Sequence, residues 1–115
     1  MTRAGVGFSP IALRVRSTLV LQHHGKDVII GRVGAQLAVT DLDQDGDLDV
    51  ITTNDVLNRK RDAVLVRTLT SSGTVKRRFE LAVTTGVDAL ATCPPDGPGR
   101  TPFVIASGEE IWVVR

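Results

Sequence analysis

Leu37-Ala38-Val39-Thr40-Asp41-Leu42-Asp43-Gln44-Asp45-Gly46-Asp47-Leu48-Asp49-Val50-Ile51-Thr52-Thr53 is the stretch that decides the fold. Asp occupies every second position from Asp41 to Asp49. Like charges this close repel one another and disfavour a compact chain unless a cation sits among them. Calcium fits best, because it takes roughly six to eight oxygen ligands in a flexible shell at about 2.3–2.6 Å. Gly46 fits the same reading, since the loop must turn sharply after its third Asp and glycine permits that backbone. Asp41, Asp43 and Asp45 are expected to supply side-chain oxygens. Asp47 is expected to supply its carbonyl with its side chain turned to water. Asp49 should close the shell with both oxygens.

Two architectures carry such a loop. A helix–loop–helix site ends in a bidentate Glu at the twelfth position. Counting from Asp41, that position is Thr52. The flanks also speak against helices, because Val50-Ile51-Thr52-Thr53 is a β-branched run that favours strand. The site is therefore read as strand–loop–strand.

The stretch Leu37 to Ile51 resembles the calcium-binding core of FG-GAP or VCBS-type repeats, the blades of β-propellers of the integrin-α kind. The shared pattern is an apolar strand, Asp-x-Asp-x-Asp-Gly-x-x-Asp, and a second apolar strand. A Phe-Gly…Gly-Ala-Pro signature is missing. The resemblance implies an all-β fold of antiparallel four-stranded propeller blades. It also implies a structural calcium ion, an extracellular or cell-surface setting, and adhesion or binding of a protein or carbohydrate ligand.

Composition bounds the rest. At 115 residues the chain makes one domain with a modest core. It has three Phe, one Trp and no Tyr, so Val, Leu, Ile and Ala must build that core. Net charge is +1, but fourteen Lys and Arg against the eight acids outside the loop leave the remainder at +6. These cations are scattered and lack an aromatic stacking platform, which argues against nucleic acid. Cys93 is the only cysteine and is read as a small buried or half-buried thiol. No apolar run approaches the roughly eighteen residues of a membrane span. Residues 1–10 look loose and do not read as a signal peptide.

Along the chain, Ile11 to Arg16 reads as a strand, Leu19-Val20-Leu21 continues it or begins another, and Asp27 to Val33 follows. His23 and His24 are neighbours that would face opposite sides of a strand, so no metal pair is expected there. After the acidic loop, Arg59-Lys60-Arg61 reads as a solvated hairpin tip. Ala63–Leu69 and Val75–Val83 are the next strands, with Phe79 and Leu81 on one face. Val87–Thr92 repeats the strand before the acidic loop. Cys93 to Arg100 then stands in the loop's place, with Asp96-Gly97 matching Asp45-Gly46 but no other carboxylate. That copy should bind no calcium, its prolines holding the turn. Leu13 to Arg16, Val64 to Arg67 and Ile111 to Val114 recur about fifty residues apart, a propeller-blade period. The expected organisation is one partial propeller of about two blades. It comprises 11–33 as the third and fourth strands of one blade, 35–83 as a complete blade, and 87–115 as the first three strands of another.

The functional expectation is a calcium-binding repeat module rather than an enzyme. Glu109-Glu110 would point apart on a strand, and no Ser/His/Asp set or phosphate-cradling loop is present. The alternative is a non-catalytic repeat portion of a larger secreted enzyme, such as a polysaccharide lyase or hydrolase. A propeller closes roughly four to eight blades. Further blades, from the same protein or from copies of the chain, are therefore expected as partners.

Overall fold

The computed structural model describes residues 12–23 and 25–115, with side chains from Arg16 onward. The readings of residues 1–10, Ile11 and His24 lie outside these. The described chain is all-β and antiparallel, in three sheets. The first holds β1 (Ala12–Val15), β2 (Thr18–His23) and β3 (Lys26–Ile30), in that order. The second holds β4 (Leu37–Thr40), β5 (Leu48–Thr53), β6 (Ala63–Leu69) and β7 (Val75–Ala82), also in order. The third holds β8 (Ala89–Thr92), β9 (Phe103–Ser107) and β10 (Glu110–Val114), with β9 in the middle. Each strand thus pairs with its neighbour in sequence. The one helical element among the described residues is a 3-10 turn, Arg59–Arg61.

Two expectations change at the first sheet. It has three described strands rather than two, because positive φ at Arg16 (55°) and Gly25 (73°) turns the chain twice. Its last two strands lead into β4 as β6 and β7 lead into β8. The counterpart of β6 is therefore β2, and matching Leu13 to Val64 sets the repeat off by one strand. The strand expected over 27–33 ends at Ile30, since Arg32 turns at φ 58°.

The second sheet is buried on both faces, which explains its composition. β5 and β6 are almost unbroken runs of apolar and β-branched residues, as a strand covered on both sides requires. Val50 and Leu69 face the first sheet and pack with Leu19, Leu21, Val28 and Ile30. Ile51, Val64 and Val66 face the third sheet and pack with Val87, Phe103 and Ile105. Alternation along each strand sends neighbours to opposite cores. Burying each such side chain contributes about 1.5–3 kcal/mol. The outer sheets bury one face only: Ile29, Ile111 and Val113 point outward, at 68, 72 and 55 % exposure.

Backbone crossings lock the stack. Between the first two sheets, the Gly34 amide donates to the Thr53 carbonyl at 2.7 Å. A Cβ at Gly34 would lie 2.1 Å from the Asn54 carbonyl oxygen, so only glycine fits. Arg59, exposed in the β5–β6 connection, reaches across to the β7–β8 connection. It donates to the Thr85 carbonyl at 2.9 Å and to Asp88 at 3.1 Å. The Gly108 amide and then Arg59 hold the Asp88 carboxyl below its usual value.

Candidate metal centre

The acidic stretch is the β4–β5 connection, with Thr40 and Asp49 paired across its mouth. Asp41 organises it. One Asp41 oxygen accepts the Asp45 amide at 3.2 Å, and the other accepts the Gly46 amide at 2.8 Å. Positive φ at Gln44 (57°) and Gly46 (92°) brings those amides round to face it. Asp45 in turn accepts the Asp47 amide at 3.0 Å. The loop is thus curled by its own carboxylates.

Asp49 differs from its neighbours. It sits on β5 and is 1 % exposed. Its Oδ2 accepts the Leu42 amide at 2.8 Å, and its Oδ1 accepts the Thr68 hydroxyl at 2.6 Å. Thr68 is its register partner on β6. A buried carboxylate needs such donors, because desolvation without them is costly. Asp43 is exposed and Asp47 half-buried.

A basic strand faces the loop. Lys76, Arg77 and Arg78 lie on β7. The β6–β7 register pairs Val66 with Phe79 but Arg67 with Arg77, leaving Arg78 without a partner across the ladder. Such a β-bulge re-aims a side chain. The Arg78 guanidinium grips Asp43 with both terminal nitrogens, Nη2 to Oδ1 at 3.2 Å, and Nη1 also lies 3.4 Å from Asp49 Oδ1. The Asp43 hydrogen bond raises the Arg78 pKa; partial burial opposes it, and the charges of Asp43 and Asp49 assist. Asp43, Asp45 and Asp47 form one wall of a 230 Å³ groove, with Lys76, Arg77 and Arg78 opposite.

The loop is also tied to the third sheet. The Gln44 amide group donates to the carbonyls of Gly97 and Arg100 at 3.1 Å each and to Thr101 Oγ1 at 3.3 Å. Its oxygen accepts the Gly99 amide at 3.2 Å. The Leu42 carbonyl accepts from the Thr101 amide at 2.9 Å. The Pro/Gly-rich β8–β9 connection, at the position of the acidic loop in its own sheet, is thus a socket for Gln44. Its Asp96 pairs with Arg100 at 2.9 Å.

The five sequence-derived ligands therefore share one loop, but their carboxylates do not converge. Among the described residues no three His, Cys, Asp or Glu side chains meet to hold an ion. In kind, the carboxylate oxygens of Asp41, Asp43, Asp45 and Asp49 and the Asp47 carbonyl are the oxygen donors that a hard divalent cation takes. What the sequence reading missed was Arg78, Thr68 and Gln44. The Lys76-Arg77-Arg78 run in the last strand of the same sheet was the available signal for the first.

A family model described as FG-GAP repeat matches residues 33–75, from Val33 through β4, the acidic loop, β5 and β6 to the start of β7. Neither the curated proteins nor the solved structures yield a match to the chain. Residues 33–75 therefore carry an FG-GAP-type repeat, and the antiparallel all-β sheets around them agree with the blades that such repeats form in β-propellers.

Proposed function

We propose that this β-propeller repeat module holds one structural calcium ion in the 41–49 loop and serves extracellular adhesion or the binding of a protein or carbohydrate ligand. The observation that carries the reading is the carboxylate ladder curled on Asp41, with Asp49 buried at its closing position. Asp41, Asp43, Asp45 and Asp49 would offer side-chain oxygens and Asp47 its carbonyl. Calcium bound there supplies the positive charge that offsets their mutual repulsion. The chain's own residues do the rest: Thr68 and the Leu42 amide orient Asp49, and Asp41 sets the turn.

Ligand recognition belongs to the opposite end of the stack. A 410 Å³ recess there is lined by Gln36, Asn54, Val56, Arg59 and Asp62, among others. Its titratable groups are engaged in structure. Asp62 accepts the Val87 amide at 2.8 Å, and Arg59 spans to Thr85 and Asp88. That favours binding over catalysis. Further blades, from the same protein or from copies of the chain, would cover the outward Ile29, Ile111 and Val113 faces.

Thermal melts in calcium and in excess chelator test the ion's structural role. Calcium at a hundred times its dissociation constant adds about 2.7 kcal/mol if it binds the folded chain alone. Identical melting temperatures in the two buffers contradict the reading.

A further inference from the structure

Arg78 is a cation fixed among carboxylates that the calcium reading assigns to the ion. It spans the third and ninth positions of the loop, gripping Asp43 and lying 3.4 Å from Asp49 Oδ1. It sits at the bulge, which takes Arg78 out of the β6–β7 ladder. A guanidinium presents a rigid fork to a carboxylate, so this contact is geometrically specific as well as electrostatic. Both Asp43 oxygens already accept from Arg78, and Asp49 Oδ1 lies toward it, so an ion drawing on these carboxylates competes with the guanidinium for their lone pairs. Two cations at contact distance also repel.

We infer that Arg78 is a tethered competitor for calcium: it closes the loop in the metal-free chain, must leave Asp43 when calcium enters, and so sets the loop's calcium affinity. This rests on the calcium reading above. Arg78 would then serve two states. Without calcium it neutralises part of the carboxylate repulsion and keeps the β4–β5 turn folded. With calcium it swings into the 230 Å³ groove that it already lines with Asp45, Asp47, Thr70 and Lys76. The device narrows the stability gap between the two states and shifts calcium binding to higher concentration.

Calorimetric calcium titration of the full chain and three variants tests this. Arg78→Gln removes the competitor and should bind calcium about tenfold more tightly, the worth of one charge-assisted hydrogen bond. Arg78→Lys keeps a charge but loses the fork, and should fall between Arg78→Gln and wild type. It also serves if Arg78→Gln folds poorly in chelator. Lys76→Gln removes the same charge from the same groove without touching Asp43, and should stay close to wild type. In chelator, Arg78→Gln should melt below wild type. Equal or weaker calcium binding by Arg78→Gln overturns the competitor while leaving the calcium site standing. A gain in Lys76→Gln equal to that in Arg78→Gln overturns it too, since general charge would then explain the effect. Absence of binding to every chain overturns the calcium reading and the inference with it.

Discussion

Asp49 is the one residue of the acidic ladder that is sealed from water, at 1 % exposure. Its charge is balanced by an amide, a hydroxyl and a guanidinium from three different segments. It therefore has a structural duty even without a metal. In chelator, Asp49→Ala should cost about 2 kcal/mol or more, because the Leu42 amide and the Thr68 hydroxyl lose their acceptor. Relief of repulsion from exposed neighbours offsets at most about 1 kcal/mol at high dielectric, so the loss wins. Asp47→Ala should stay within about 0.5 kcal/mol of wild type, since the bond to Asp45 uses the Asp47 backbone. Urea unfolding in chelator separates the two, and equal losses would contradict this account of Asp49. The spacing of the ladder was legible in the sequence. The inequality within it was not, because burial of the ninth position is set by Thr68 on another strand.

At the scale of elements, the informative feature is the joint between the acidic loop and the β8–β9 connection. The Gln44 side chain makes four hydrogen bonds into that connection. The Gln44 amide group fills the turn of that connection alongside its prolines. Gln44→Ala should destabilise the chain by about 1–2 kcal/mol, several partly exposed hydrogen bonds being worth less than their number suggests. Hydrogen exchange locates the effect. The Gly99 amide should exchange faster in the variant, while the Gly46 amide, bound to Asp41, should be unchanged. Unchanged protection at Gly99 would mean that the joint does not couple the sheets. The strands themselves were readable, because period-two alternation and turn residues are local signals. The bulge at Arg78 was not, since alternation put Phe79 and Leu81 on one face correctly but says nothing of the ladder partner across from Arg78.

On the scale of the whole molecule, three antiparallel sheets stack so that the middle one is covered twice and each outer one once. The double burial of β5 and β6 matches their almost unbroken runs of apolar and β-branched residues. The all-β class was therefore legible in the sequence. The number of strands in the first sheet was not legible, because Arg16, a non-glycine residue at positive φ, makes the turn that separates Ala12–Val15 from Thr18–His23. The acidic loop joins this architecture at two places, to β7 through Arg78 and to the third sheet through Gln44. A cation bound in the loop would therefore act on two sheets at once. The most direct test is a crystal structure of the full chain grown in calcium, with anomalous scattering used to place the ion. The account predicts one ion in the 41–49 loop, about 2.3–2.6 Å from side-chain oxygens of Asp41, Asp43, Asp45 and Asp49 and from the Asp47 carbonyl, with Arg78 off Asp43. A loop without an ion at saturating calcium, its Arg78 still gripping Asp43, would contradict it.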